Sequence, residues 1–236
     1  MKIRAVIFDV YNTLLEVAPP PSDAGLRWEM LWHELFGVCA RLSLAEFGSD
    51  CARAIAREHA SAKAAGIPHP EVFWPDIVAE VVPEMAGLAE RGRAEFVYRQ
   101  IGLTRVVRLE SHVAMVLRGL QRGGRACGIA SNAQAYTLRE LDEALAGADI
   151  SAALFSQELC FWSFAHGFSK PDPHVFRLLT ARLRARGVRP HETLMVGDRV
   201  DNDIEPARAQ GWQTWQITAP TAASWALLAN WLEERR

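Results

Sequence analysis

A short apolar run at residues 3–8 constrains the fold of this chain more than any other stretch. Such a run is typical of a strand that is buried on both faces of a parallel sheet. Asp9 follows it directly, and Tyr11 and Thr13 complete a D-x-Y-x-T pattern. Open α/β sheets bind their ligands outside the carboxyl ends of the strands. An aspartate here therefore predicts a functional site at the end of the first strand, although a lone Asp in this position is more often a turn-former.

Beyond about residue 105 the chain alternates between short apolar runs and helical patterns. Strands are predicted at residues 125–130, 152–156, 193–196 and 212–217, and helices at 110–122, 135–146, 173–186, 204–210 and 222–234. Strands that alternate with helices of this length need crossover connections, which bury a parallel sheet between two layers of helices. The predicted fold class is therefore α/β, with a Rossmann-like parallel sheet at its core.

Residues 16–105 interrupt this alternation. Three consecutive prolines at 19–21 exclude a helix there and predict a stiff linker. Helical spacing follows, with helices predicted over residues 24–65, 75–82 and 83–101 and no convincing strand. We interpret residues 16–105 as an all-helical domain inserted after the first strand, which assigns residues 1–15 and 106–236 to the core domain.

Composition excludes several classes of protein. The formal net charge is -2, with acidic and basic residues interspersed, so no basic patch predicts binding to nucleic acid. The four cysteines form no CxxC pair, which favours reduced thiols over a zinc site. No apolar run approaches the roughly 20 residues of a membrane span, and the amino terminus has no signal-peptide pattern. We therefore expect a soluble, cytoplasmic protein with a small-molecule partner and no membrane partner.

Polar residues follow the later predicted strands as well. A serine or a glycine-aspartate pair directly follows two of them, and a Lys-Pro-Asp-Pro loop precedes the helix at 173–186. Each taken alone has an ordinary interpretation, as a helix cap or a solvated surface charge. Because all of them are predicted near strand ends, we expect them to gather beside Asp9; they are Ser131, Asn132, Lys170, Asp198 and Asp203.

Four stretches, in this order, resemble motifs of the haloacid dehalogenase-like (HAD) hydrolase superfamily, and the resemblance extends over nearly the whole chain. They are residues 9–13, 131–132, 170–171 and 197–203. The resemblance implies that Asp9 is the nucleophile, which forms a covalent aspartyl intermediate. It implies that Lys170 neutralises both Asp9 and a substrate anion. The inserted helical domain would be a cap that closes over the site. The phosphate-binding residues implied are Thr13, Ser131, Asn132 and Lys170.

The resemblance also implies a Mg²⁺ site. Its ligands would be Asp9, the backbone carbonyl of Tyr11, Asp198 and Asp203. Simple electrostatics favours such an ion. A phosphate oxygen about 4 Å from a carboxylate is repelled by roughly 4 kcal/mol per charge pair at an effective dielectric constant near 20. Lys170 alone does not offset a phosphate dianion and a carboxylate, whereas a divalent cation does. We therefore predict a Mg²⁺-dependent phosphatase of a small phosphomonoester.

Tyr11 departs from the phosphatase pattern, in which this position is usually a second Asp that acts as general acid and base. Tyr at this position is similar to the 2-haloacid dehalogenases of the superfamily, which use no metal. A phenol, with a pKa of about 10, is poorly matched to proton transfer at neutral pH. Tyr11 therefore predicts either a dehalogenase or a slow phosphatase that acts on esters with good leaving groups. A third alternative is a binding protein without catalytic activity, and a ring that only packs under the helical insert is compatible with all three.

Overall fold

The central strand of the fold is β1, Ala5–Phe8, in the computed structural model, which describes residues 2–235. The other strands are β2 (Glu16–Ala18), β3 (Val106–Arg108), β4 (Ala126–Ser131), β5 (Phe155–Trp162), β6 (Thr193–Gly197) and β7 (Gln213–Gln216). Five of them form a parallel sheet in the order β5-β4-β1-β6-β7, while β2 and β3 pair separately and antiparallel.

Helices cover both faces of this sheet, and four more form the insert. They are α1 (Ala24–Phe36), α2 (Leu44–Ala64), α3 (Trp74–Val81), α4 (Glu90–Ile101), α5 (Ser111–Arg122), α6 (Ala135–Ala146), α7 (Pro173–Ala185), α8 (Glu205–Ala209) and α9 (Ala222–Glu233). One face packs against α5, α6 and α9, and the other against α7 and α8. The predicted α/β class, with a parallel sheet between two helical layers, is confirmed.

The four residues of β1 are fully buried, which explains why the run is continuously apolar. Successive side chains point to opposite faces of the strand, so Phe8 packs toward α9 and Ile7 toward α7. Along the chain, β4 and β5 extend the sheet on one side of β1, and β6 and β7 then extend it on the other. The order of the strands therefore reverses between β1 and β6, and the carboxyl ends of these two strands frame the crevice where such sheets bind ligands.

The helices between β2 and β3 have a core of their own. Trp28 is 1% exposed and contacts Trp32, Phe47 and Phe96, with ring centroids 5.0 to 5.8 Å apart. Aromatic pairs at these distances bury large apolar areas and add specific ring contacts. The insert contains the four helices α1–α4, but residues 16–18 form a strand, so residues 16–105 are not all-helical as predicted. This strand pairs with β3, so that the chain enters and leaves the insert side by side.

Several predicted boundaries differ from the observed ones for local reasons. The helical spacing predicted over residues 24–65 corresponds to two helices, because the chain turns at Gly37 with a φ of 72°, a conformation that favours glycine. Residues 83–87 form a 3₁₀ turn instead of the start of α4. β5 begins later than the strand predicted at residues 152–156 and continues through Trp162, which makes it an edge strand of eight residues.

We predict that Trp28→Ala destabilises the insert and leaves the sheet core intact if the two are separate domains. Removing a buried Trp side chain typically costs about 3–5 kcal/mol. Calorimetry is expected to resolve two unfolding transitions, one of the insert and one of the sheet core. Trp28→Ala should lower the midpoint of the insert transition alone. The matched control is Trp225→Ala, because Trp225 is equally buried but packs against Phe8 in the sheet core. A single transition that both variants lower alike would contradict the division into two domains.

Candidate active site

Asp9 lies at the carboxyl end of β1, where its amide donates to the carbonyl of Val196 on the neighbouring β6 at 2.9 Å. Its carboxylate Oδ1 accepts a hydrogen bond from Lys170 Nζ at 2.8 Å. Lys170 comes from the loop before α7 and is only 3% exposed. A second carboxylate, that of Asp203, accepts from the same ammonium group. The structure thus brings together three residues that are separated by up to 194 positions in the sequence.

Asp198 and Asp203 come from the segment that follows β6. Residues 200–204 form one π-helical turn, a feature often found at functional sites, and it turns Asp203 back toward the sheet. Asp203 Oδ2 accepts from the amide of Arg199 at 3.1 Å. Gly197 leaves the room for this arrangement, because a Cβ there would lie 2.6 Å from the Asp203 Cβ. The glycine is therefore a steric requirement of the buried carboxylate.

The three carboxylates form a cluster with the composition of a site for a hard divalent cation. Asp9, Asp198 and Asp203 each offer an oxygen atom, and these atoms all lie within 4.8 Å of one another. With one ammonium group among them, two negative charges remain in excess. Mg²⁺ takes oxygen ligands of this kind and keeps several waters, so the residues present fit this ion.

Burial and mutual repulsion act on the protonation of this cluster. Burial raises the pKa of Asp9 to about 6, with Lys170 opposing the shift and Asp203 adding to it. Burial and the nearby Asp203 likewise raise the pKa of Asp198. The pKa of Lys170 lies above its usual value, because the attraction of Asp9 and Asp203 outweighs the opposing effect of burial. A cation bound to these carboxylates would favour their ionised forms again.

Asn132 holds the Lys170 backbone from both sides. Its Nδ2 donates to the Lys170 carbonyl at 2.8 Å, and its Oδ1 accepts from the Lys170 amide at 2.7 Å. The carboxamide, predicted to bind phosphate, is thus also used to fix the loop that carries the lysine. This pairing of a side-chain amide with a peptide group leaves no local trace in the sequence.

The two predicted phosphate-binding hydroxyls, those of Thr13 and Ser131, are buried without a partner among the described residues. Among the described residues, neither Thr13 Oγ1 nor Ser131 Oγ makes a hydrogen bond, although both residues are at most 1% exposed. A buried hydroxyl without a partner is costly, and a bound ligand could supply the missing bond. The backbone hydrogen bonds of the turn at residues 10–15 run to the carbonyls of Val10 and Leu15. They do not occupy the Tyr11 carbonyl, the predicted metal ligand.

The Tyr11 hydroxyl lies in a hydrogen-bond network with three side chains. It donates to Glu140 Oε2 at 2.5 Å and accepts from Arg105 Nη2 at 2.6 Å, and Thr137 Oγ1 is its third neighbour, also at 2.6 Å. The Arg105 guanidinium covers the phenol ring at 4.1 Å from its centroid and donates to Glu140 at 2.9 Å. Burial raises the pKa of Tyr11 above its usual value, with Arg105 opposing this effect and Glu140 adding to it.

A cleft of about 210 Å³ lies over the cluster. It is lined by Asp9, Tyr11, Asn12, Asn132, Lys170, Asp198, Arg199, Asn202 and Asp203. None of these described lining residues belongs to α1–α4. Two arginines of the insert form ion pairs with acidic residues instead, Arg27 with Asp23 and Arg41 with Glu84.

The insert also contacts the core beside the cleft. Glu71, between α2 and α3, accepts hydrogen bonds from Ser163 Oγ at 2.6 Å and from Gln134 Nε2 at 3.0 Å. The Gln134 carboxamide also accepts from the amide of Trp74 at 2.9 Å. Sequence reasoning missed these residues, and a glutamate in a proline-punctuated segment gives no periodic signal that would identify it.

Comparison with known proteins now identifies the family. The sequence pattern of the haloacid dehalogenase-like hydrolases matches residues 3–211, which is most of the chain. The chain belongs to this family of hydrolases. None of the helices within residues 2–235 is long and apolar enough to cross a membrane.

The individual proteins that this chain resembles are only distantly related to it in sequence. The chain is 33% identical over 145 residues to a phosphoserine phosphatase of Thermus thermophilus, a match that covers 59% of this chain and 52% of that relative. It thus spans about half the length of the curated relative. The structure of an L-2-haloacid dehalogenase has a TM-score of 0.55 at 20% identity, over 99% of this chain and 100% of that chain. A HAD family enzyme of Bacteroides thetaiotaomicron, in complex with magnesium and inorganic phosphate, has a TM-score of 0.54 at 14% identity, over 91% and 93%. These two likenesses show the fold.

We predict that Gly197→Ala lowers stability, because the added methyl group meets the buried Asp203 side chain. Overpacking of this kind typically costs about 1–3 kcal/mol, measured here by urea denaturation. The control is Gly119→Ala in α5, where a Cβ would have no neighbour within 4 Å. Because alanine is the better helix former, that variant is expected to gain about 0.5–1 kcal/mol. If the two variants changed the free energy of unfolding by the same amount, the steric role of Gly197 would be ruled out.

Proposed function

We propose that this chain is a Mg²⁺-dependent phosphatase that acts on a small phosphomonoester through an aspartyl-phosphate intermediate. The observation that carries the proposal is the convergence of three carboxylates, those of Asp9, Asp198 and Asp203, around the buried ammonium group of Lys170. A surplus of negative charge at the entrance to a phosphate site is unfavourable unless a divalent cation balances it. The 33% sequence identity to a phosphoserine phosphatase over 145 residues also supports the proposal.

Each residue then has a defined task. The Asp9 carboxylate, at the carboxyl end of the central strand, is the nucleophile, and Lys170 neutralises the charge that gathers on the phosphoryl oxygens. The Ser131 and Thr13 hydroxyls, buried without partners, are donors for the phosphoryl group. Asn132 keeps Lys170 in place through two hydrogen bonds to its backbone.

Mg²⁺ would be held by Asp9, Asp198, Asp203 and the carbonyl of Tyr11. When bound, such an ion polarises the phosphoryl group and offsets the repulsion between nucleophile and substrate. Asp201 is not part of this set, because its carboxylate is exposed and forms an ion pair with Arg199.

The second candidate function is that of a metal-independent 2-haloacid dehalogenase. Tyr11 favours it, since this residue resembles the dehalogenase pattern. The three-carboxylate cluster argues against it, because a small haloacid anion would be repelled from a site with two excess negative charges. We therefore prefer the phosphatase, and the two functions are separable in one assay.

We predict that the protein hydrolyses 4-nitrophenyl phosphate with added Mg²⁺ and loses this activity in EDTA. It is expected not to release chloride from 2-chloropropionate under either condition. Release of nitrophenolate and of chloride are the two measurements. Chloride release that persists in EDTA would select the dehalogenase instead, and inactivity toward both substrates would select a binding protein.

Matched variants test the metal ligands separately from the fold. Asp198→Asn and Asp203→Asn should raise the Mg²⁺ concentration needed for half-maximal activity by at least tenfold, because each removes an anionic oxygen ligand. Asp201→Asn is the control from the same turn and should leave that concentration unchanged. If Asp201→Asn raised the half-maximal Mg²⁺ concentration as much as the other two variants, the structure of the turn, and not the set of ligands, would determine the Mg²⁺ requirement.

A further inference from the structure

We propose that Tyr11 is a positioning residue, and that the site consequently takes phosphates whose leaving group departs as a stabilised oxyanion, such as an aryl, enol or acyl phosphate. This inference rests on the proposed phosphatase function and specifies its substrate class.

The Tyr11 hydroxyl has no hydrogen-bonding capacity left for a substrate. A phenol has one proton to donate and two lone pairs that accept. The proton goes to Glu140 at 2.5 Å, and one lone pair accepts from Arg105 at 2.6 Å. Thr137 Oγ1 accepts from the amide of Gln134 at 3.2 Å, so its own proton is available to the second lone pair of Tyr11, at 2.6 Å. All three positions are therefore occupied by the protein.

These partners connect three parts of the molecule. Tyr11 lies two residues after Asp9, Arg105 precedes β3 at the exit of the insert, and Glu140 belongs to α6 in the core. Glu140 is 7% exposed, so a carboxylate at this position needs Arg105 and Tyr11 as partners. The network thus fixes the insert and the turn of the nucleophile against α6, which is a structural task.

No other residue of the cleft takes over as acid. In the described part of the chain, its titratable side chains are Asp9, Tyr11, Lys170, Asp198, Arg199 and Asp203. Asp9 is the proposed nucleophile, and the other two carboxylates are the proposed metal ligands. The Lys170 ammonium donates to Asp9 and Asp203, and a guanidinium such as that of Arg199 does not give up a proton in proteins.

The reaction balances without a proton from the protein. An Asp9 oxygen forms a bond to phosphorus while the bond from phosphorus to the leaving oxygen breaks, and the electron pair departs with that oxygen as an oxyanion. A water oxygen then attacks phosphorus, the bond to Asp9 breaks, and its electron pair restores the carboxylate. Both hydrogens of the water stay with the product, as H₂PO₄⁻. The first step is therefore fast only for a leaving group that is stable as an anion.

The test is a series of phosphates that differ in the acidity of the leaving group, assayed with Mg²⁺. We expect kcat/KM to fall steeply from 2,4-dinitrophenyl to 4-nitrophenyl to phenyl phosphate, and O-phosphoserine to be about 10²–10⁴-fold poorer than 4-nitrophenyl phosphate, the usual contribution of a missing acid. Turnover of O-phosphoserine at a rate similar to that of 4-nitrophenyl phosphate would overturn the proposal.

Tyr11→Phe separates positioning from proton transfer. A positioning role predicts that kcat/KM decreases by the same factor for the three aryl phosphates. If Tyr11 protonated the leaving group, the decrease would grow along the series and be greatest for phenyl phosphate. Should Tyr11→Phe not fold, Thr137→Val removes one of the three hydrogen bonds and is expected to give the same uniform factor.

Stability measurements distinguish a failure of this inference from a failure of the proposed function. If no phosphate is hydrolysed under any condition, the phosphatase is excluded and the substrate class with it. The positioning role still predicts that the double variant Tyr11→Phe with Glu140→Gln lowers the denaturation midpoint by less than the sum of the two single variants. If the decreases in the midpoint were strictly additive, the positioning role of Tyr11 would be overturned.

Discussion

The repulsion among three carboxylates at one edge of the sheet is the constraint on which the site depends. Asp203 is 1% exposed and Asp9 is 9% exposed, and carboxylates so far from water are stable only with partners. Lys170 partners both of them. Its backbone is held by Asn132, and Gly197 leaves the space that the Asp203 side chain fills. Asn132 and Gly197 thus both help to place one ammonium group between two carboxylates.

The compensation within the protein is incomplete, and this gives the site its chemical character. One ammonium group opposes three carboxylates, so the resting charge of the cluster favours a cation and disfavours a free anion. A phosphate ester becomes an acceptable ligand when a divalent ion accompanies it. The same electrostatics disfavours a haloacid, and for this reason the carboxylate cluster has more weight in our proposal than the identity of residue 11.

The parts of the fold that could be predicted from the sequence are those with a local pattern. The run at residues 3–8 is recognisable because a strand buried on both faces must be apolar throughout, and Asp9, Lys170 and Asp198 belong to motifs in loops at strand ends. Arg105 and Glu140 were beyond such reasoning, because they meet Tyr11 across 94 and 129 residues and their contact depends on how the insert packs. The strands β2 and β3 were missed because three half-buried residues have too short a pattern to recognise. β5 extends beyond the strand predicted at residues 152–156, and the alternate burial of Leu159 and Phe161 is typical of a strand.

The most direct test of the central claim is an anomalous difference map from crystals grown with Mn²⁺, which takes the same oxygen ligands as Mg²⁺. The account predicts one strong peak among the carboxylates of Asp9, Asp198 and Asp203, within ligand distance of the Tyr11 carbonyl. Full occupancy of Mn²⁺ elsewhere, with no peak between these carboxylates, would contradict it.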